Sequence, residues 1–156
     1  MLMLIVLNPG HWQTKETESG KKWAIMLDRS MSMEVKDVDG KSRWKQASSL
    51  ANRLCQEKDI PKDIHTFSSG LEEKLAGPET LENIKADGKS TDITGSAEKL
   101  IDIYKAKRSG LAGIIIISDG RQVKPSDGKE LSLLARAENI PVYALATGGK
   151  VPRKNI

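Results

Sequence analysis

The segment Gly113-Ile114-Ile115-Ile116-Ile117 constrains this chain more than any other. Side chains on a strand alternate between the two faces, so a run that is apolar at every position must be covered on both sides. That is the signature of a central strand in a parallel sheet with helices above and below. The run stops at Ser118-Asp119-Gly120, where a strand of this kind delivers its loop to the sheet rim. A first strand reads from Lys22 to Leu27 and stops at Asp28 in the same way.

The rest of the chain fits this frame. Trp44, Ala47, Leu50, Ala51, Leu54 and Cys55 recur at helical spacing, which predicts an amphipathic helix over Ser42 to Glu57, with Pro61 after it. Asp63 to Ser68 and Leu71 to Leu75 read as strands joined by a Ser-Ser-Gly turn. Gly77 to Lys89 is polar and irregular. Ile93, Ala97, Leu100, Ile101 and Tyr104 predict a second helix, closed by the basic segment Lys105 to Arg108 and Gly110. A third helix is expected to start near Asp127, with Glu130 completing a capping box. Pro141 to Ala146 is the last strand. Strands alternating with helices from residue 22 onward predict an α/β fold: a Rossmann-like, mainly parallel sheet with helices on both faces.

A length of 156 residues suits one domain, with residues 22–149 as the folded unit, 1–21 as a lead-in and 150–156 as a connecting tail. The longest apolar run, Met1 to Leu7, has seven residues against the roughly 20 that cross a bilayer. It reads either as an edge strand or as the end of a membrane helix belonging to a longer protein. The net charge of +4, from 25 basic and 21 acidic residues without long like-charged runs, does not make a nucleic-acid footprint. A single cysteine, Cys55, and two distant histidines, His11 and His65, leave no basis for a disulfide or a structural zinc site. His65 falls within a strand and is expected to be structural. Trp23 and Trp44 sit at apolar positions and are expected in the core. Trp12, in a polar stretch, is a candidate exposed contact or membrane-interface anchor.

In an open α/β sheet, ligands bind where loops leave the carboxyl ends of the strands. Asp28-Arg29-Ser30-Met31-Ser32 and Ser118-Asp119-Gly120 lie on one such rim, and the loop Gly88-Lys89-Ser90-Thr91-Asp92 can reach it. Together they offer two carboxylates and several hydroxyls, without nitrogen or sulfur donors. Two carboxylates at one rim repel each other, and a hard divalent cation relieves this. Oxygen-only ligation with few charges suits Mg²⁺, with Mn²⁺ as a substitute, better than Ca²⁺. A phosphate-binding loop ending at Gly88-Lys89-Ser90-Thr91 is excluded, because Asn83 stands where its first glycine belongs. An EF-hand around Asp37-Val38-Asp39-Gly40 also fails, and that segment is expected to be a solvated turn.

Asp-x-Ser-x-Ser after a first strand, a later threonine and an aspartate after a central strand resemble the metal-ion-dependent adhesion site of von Willebrand factor A (vWA) domains. The resemblance covers roughly residues 22 to 147. It implies a vWA-like three-layer sandwich and carries metal-binding roles onto Asp28, Ser30, Ser32, Thr91 and Asp119. Ser90 and Thr94 compete with Thr91 for its role, and Asp92 also reads as a helix cap. The resemblance implies a Mg²⁺-dependent protein-binding module without catalytic residues, whose metal takes an acidic side chain from a protein partner. The rim around Met31, Met33 and Gly88–Asp92 would set selectivity. Met31 departs from the glycine common between the two serines. The strand at 141–146 comes near the end of the chain, so the last helix and strand of many such domains are expected to be missing. Leu-Asn-Pro at 7–9 and Val-Pro-Arg-Lys-Asn-Ile at 151–156 are similar to the junctions of bacterial membrane-anchored vWA proteins, so the parent is expected at a membrane. The alternatives are a hydrolase built on a metal-bound water and a scaffold with a vestigial site.

Overall fold

The computed structural model describes residues 4–6, 20–37, 39–58, 60–121 and 128–149, with only the backbone of 4–6. Trp12, His11, Asp127 and the tail from 150 onward lie outside the described residues. Among the described residues, six strands form one sheet: β1 (Leu4–Val6), β2 (Lys22–Asp28), β3 (Lys62–Phe67), β4 (Leu71–Lys74), β5 (Leu111–Ser118) and β6 (Val142–Ala146). Three α-helices accompany them: α1 (Arg43–Gln56), α2 (Ile93–Ala106) and α3 (Lys129–Ala137). The strand order is β1-β6-β5-β2-β3-β4. β2, β3, β5 and β6 run parallel, and the edge strands β1 and β4 are antiparallel to their neighbours. This is the mainly parallel, three-layer α/β sandwich that the sequence pattern demands.

β5 is internal, between β2 and β6, as its two-sided apolarity requires. Its alternation divides the core. Ile114 and Ile116 join Ala24, Met26 and Phe67 beneath α2 and α3. Ile117 joins Ile25, Leu27 and Ile64 beneath α1, whose Trp44, Ala47 and Ala51 point inward. Both tryptophans assigned to the core are placed there in different degrees. Trp44 is buried, whereas Trp23 is half-buried and stacks at a tilt on Tyr143, 5.8 Å away.

Helix starts follow the local chemistry. The Ser42 hydroxyl accepts from the Lys45 amide at 3.2 Å, and the Asp92 carboxylate accepts from the Gly95 amide at 3.0 Å. Each satisfies an amide that the first turn of a helix leaves unpaired. The third helix begins at Lys129 with Gly128 at its cap and no side-chain cap bond. The segment 77–89 is less irregular than its polarity suggests. It contains a 3₁₀ turn, Pro78–Asn83, which delivers Leu81 to the core below α1, followed by buried Ala86. Leu4–Val6 pairs with β6 as an edge strand, one of the two readings open for that run.

His65 on β3 is buried against Tyr104 of α2, their rings 6.2 Å apart edge to face. Burial is the main reason its pKa lies below the ordinary 6.5, so the fold holds it neutral. Below pH 6.5 the unfolded chain takes up a proton that the folded chain refuses, and stability falls as pH falls toward the lowered folded value. The melting temperature is therefore expected to drop between about pH 7.5 and about pH 5. His65→Leu should flatten that part of the profile, and an unchanged profile would assign the acid sensitivity to other groups.

Candidate metal centre

The order in which strands are added to the sheet reverses between β2 and β5. From β2 the chain moves outward to β3 and β4, then returns through α2 to β5 on the other side and continues to β6. Such a switch point leaves a crevice at the carboxyl ends of the two adjacent strands. Asp28 closes β2 and Ser118 closes β5 at this point, because the register pairs Leu27 with Ile117.

Asp28 is 0% exposed. Its Oδ2 accepts from the Ser118 hydroxyl at 2.6 Å, and its Oδ1 accepts from the Ser30 amide at 2.9 Å. Burial still outweighs these bonds and raises the carboxyl's pKa, with a small further push from the Asp119 charge. The Ser30 amide bond turns the chain sharply after β2 and leads into a 3₁₀ turn, Met31–Glu34. Within this turn the Ser30 and Ser32 hydroxyl oxygens lie 3.0 Å apart.

The loop that carries Thr91 is bound to the same segment. Ser30 pairs with Gly88 in an isolated parallel bridge, through bonds from Met31 N to Gly88 O and from Gly88 N to Arg29 O. A Cβ at position 88 would fall 2.4 Å from the Cβ of Ser68, so only glycine permits this approach. The Asp92 amide donates to Ser68 O at 2.8 Å and fixes the far end of the loop. Thr91 between them is buried, and Asp92 acts as the α2 cap. Asp28, Ser30 and Ser32 thus stand in direct contact, with Thr91 on the loop bridged to Ser30.

Asp119 sits differently from the sequence expectation. Its side chain is almost wholly covered, and its Oδ2 accepts from Arg43 Nη1 at 2.7 Å while its Oδ1 accepts from the Arg121 amide at 3.0 Å. The two rim carboxylates are therefore not bare. Arg43 compensates Asp119, and the repulsion expected of a metal-free site is reduced. Asp119→Ala accordingly loses an ion pair, rather than only relieving repulsion.

Two further expectations change. Met33, read as part of the selectivity rim, is buried in the core below α1, and the Thr147 hydroxyl contacts its sulfur at 3.6 Å. The rim instead exposes Met31, at 56%, and Val35. Asp37, read as part of a solvated turn, has a side chain only 12% exposed and paired with Arg43, which holds its carboxyl below the usual carboxylate range. Sequence reasoning placed Ser118 on the rim without a role of its own, and missed Arg43. Ser118 had a signal in standing opposite Asp28 in any register that aligns the two strand ends. Arg43 had a signal in being cationic in the first turn of a helix, where the macrodipole disfavours positive charge.

Comparison with known proteins places the fold. No family model matches the chain, and no curated protein matches it. The chain is similar in structure to an aerotolerance-related membrane protein from Bacteroides fragilis, with a TM-score of 0.68 and 20% identity over 88% of this chain and 74% of that one. It is similar to BatB from Bacteroides thetaiotaomicron, with a TM-score of 0.62 and 25% identity over 80% of this chain and 65% of that one. The type V pili tip protein Mfa5 from Porphyromonas gingivalis shares the fold at a TM-score of 0.51 and 14% identity, over 69% of this chain and 22% of that one. Among the described residues no helix is long and apolar enough to cross a membrane. The chain therefore carries a mainly parallel, vWA-like Rossmann sandwich similar in fold to these two Bacteroides proteins.

Proposed function

We propose that this domain is a divalent-cation-dependent protein-binding module. Ser30, Ser32 and Thr91 would hold Mg²⁺, or Mn²⁺ in its place, with Asp28 and Asp119 supplying the negative charge beside it. The observation that carries this reading is the pair of serine hydroxyls 3.0 Å apart next to a buried carboxylate. Adjacent oxygens of a Mg²⁺ octahedron are separated by about 3.0 Å when the metal–oxygen distance is about 2.1 Å. The donor set is all oxygen, which suits a hard cation. When bound, the cation offers a coordination position to an anionic oxygen, here a carboxylate of a protein partner.

Each residue has a distinct part. Asp28 orients the Ser30 loop through its bond to the Ser30 amide, and Ser118 fixes the Asp28 carboxylate from β5. Gly88 keeps the Thr91 loop against Ser30. Met31 stands exposed between the two serines and presents an apolar contact to whatever approaches the site. Binding is favoured over hydrolysis because both carboxylates are engaged, Asp28 by Ser118 and Ser30, Asp119 by Arg43 and the Arg121 amide. Neither is free to act as a general base. The parent protein is membrane-anchored on this reading, which is supported by the name of the Bacteroides fragilis neighbour and by the junction-like segments at 7–9 and 151–156.

Ser30→Ala and Ser32→Ala test the site without dismantling the fold. Each removes one small hydroxyl and should shift metal-free stability by no more than about 1 kcal/mol, the usual worth of one hydrogen bond. Each should weaken Mg²⁺ binding roughly tenfold or more, the size of a lost ligand or ligand-orienting contact. Melting curves across a Mg²⁺ titration read both quantities. Variants that respond to Mg²⁺ like the wild type would remove these hydroxyls from the site. Any partner bound through its carboxylate should be released by chelation.

A further inference from the structure

Arg43 is the first residue of α1 and is only 8% exposed. Its guanidinium bridges two carboxylates. Nη1 donates to Asp119 Oδ2 at 2.7 Å, Nε lies 3.0 Å from both Asp37 oxygens, and Nη2 also donates to Asp37 Oδ2. The Asp37 side chain is itself only 12% exposed. Position 149 must be small, because a Cβ there would collide with the Asp37 carbonyl oxygen. Gly148 passes close to the Arg43 side chain, where a Cβ would be 3.4 Å from Nε. Among the described residues, the other cation close to Asp119 is Arg121, whose Nε is 4.0 Å away on an exposed side chain. Arg43 thus ties Asp119, just after β5, to Asp37, with Gly148 passing beside it.

We infer that Arg43 is the internal counter-cation of the metal site, holding Asp119 while the cation is absent and competing with the cation for it. The inference rests on the proposed metal-binding function and adds a residue that tunes it. A guanidinium in a charge-assisted bond satisfies a carboxylate nearly as a metal does. A cation entering beside Asp28 and Asp119 meets a buried positive charge and a carboxylate already committed. Asp37 makes the exchange possible, because Arg43 keeps a well-held anionic partner when it shares or releases Asp119. Asp37 thereby lowers the barrier that Arg43 sets.

The two residues should act in opposite directions. In calorimetric titrations of the whole chain with Mg²⁺ alone, Arg43→Gln should bind roughly tenfold more tightly or better, the effect of removing one like charge a few ångströms away at a partly buried site. Asp37→Asn should bind more weakly than the wild type, because Arg43 then serves Asp119 alone. A merely structural Arg43 would weaken the site in both variants. If Arg43→Gln does not fold, the wild type carries the test through NMR: the Arg43 Nε–H resonance should move in step with Mg²⁺ occupancy. Tighter binding in Arg43→Gln, including binding where the wild type shows none, supports the inference. Equal or weaker binding in Arg43→Gln, or an Arg43 resonance that ignores Mg²⁺, overturns it while leaving the metal site standing. No binding in either chain overturns the metal-binding function and the inference together.

Discussion

Phe67→Ala is expected to lower folding stability by about 3–5 kcal/mol, the range for deleting a fully buried phenylalanine. Phe67 is the only phenylalanine in the chain, 0% exposed, and packs in the core under α2 with Met26 and Leu100. Aromatic residues are only 4% of the sequence, so its neighbours are mostly aliphatic side chains of fixed size that cannot fill the void. The position matters to the site as well. Phe67 stands opposite Asp28 in the β2–β3 register, and its carbonyl accepts from the Arg29 amide at 2.9 Å. Against a typical total of about 5–15 kcal/mol, this loss would bring the domain near unfolding at moderate temperature. Denaturant melts should show a lower midpoint at unchanged slope. A loss below about 1 kcal/mol would mean that the core under α2 collapses around the missing ring far more readily than close packing allows.

Asp28→Asn should separate stability from function. Burial raises the Asp28 carboxyl above its ordinary pKa, more than the Ser118 and Ser30 bonds lower it. A raised carboxyl pKa means that folding favours the protonated form. The Asp28 contribution to metal-free stability is therefore greatest at acid pH and declines as pH rises from 3.8 through the raised folded value. At neutral pH the metal-free protein carries a desolvated charge that asparagine lacks. The asparagine oxygen can still accept from the Ser30 amide, and its NH₂ can donate to Ser118. The variant is expected to melt at or above the wild type without metal. With free Mg²⁺ a hundredfold above its dissociation constant, the wild type should gain about 2.7 kcal/mol and the variant nothing. A variant that melts well below the wild type without metal would show that the Asp28 charge stabilises the fold through bonds asparagine cannot replace.

The fold was legible in the sequence because its strongest signals are physical necessities. A five-residue apolar run cannot lie at a wet edge, and Gly113–Ile117 does lie inside the sheet. The helical spacing from Trp44 to Cys55, and the spacing from Ile93 to Tyr104 with Asp92 as a cap, fixed α1 and α2 to within a residue or two. The segment 77–89 was harder, because a 3₁₀ turn has no long periodicity and buries only Leu81 and later Ala86 among polar neighbours. Met33 was misplaced for a related reason. A one-turn 3₁₀ helix turns successive side chains by about a third of a circle, so Met31 faces solvent while Met33 faces the core.

At the site, proximity in sequence foretold the contacts of Asp28, Ser30 and Ser32, which one turn brings together. The partner of Asp119 was hidden because Arg43 is 76 residues away and belongs to a helix whose amphipathic stripe says nothing about its first residue. Asp37 was hidden with it, since an Asp-x-Asp-Gly segment reads as solvated until a cation is known to lie beside it. Long-range charge pairs leave no periodic trace, so a cation misplaced at a helix start shows that a partner exists and only the structure shows which.

The proposed function requires that Asp28 and the hydroxyls beside it hold a divalent cation. Isothermal titration of Mg²⁺ into the wild type and into Asp28→Asn at neutral pH measures this most directly. The expected result is one saturable site in the wild type, matched by a rise in melting temperature, and no binding heat in the variant. Titrations with no heat and no melting shift in the wild type at millimolar Mg²⁺, or with the same heat in both proteins, would contradict it.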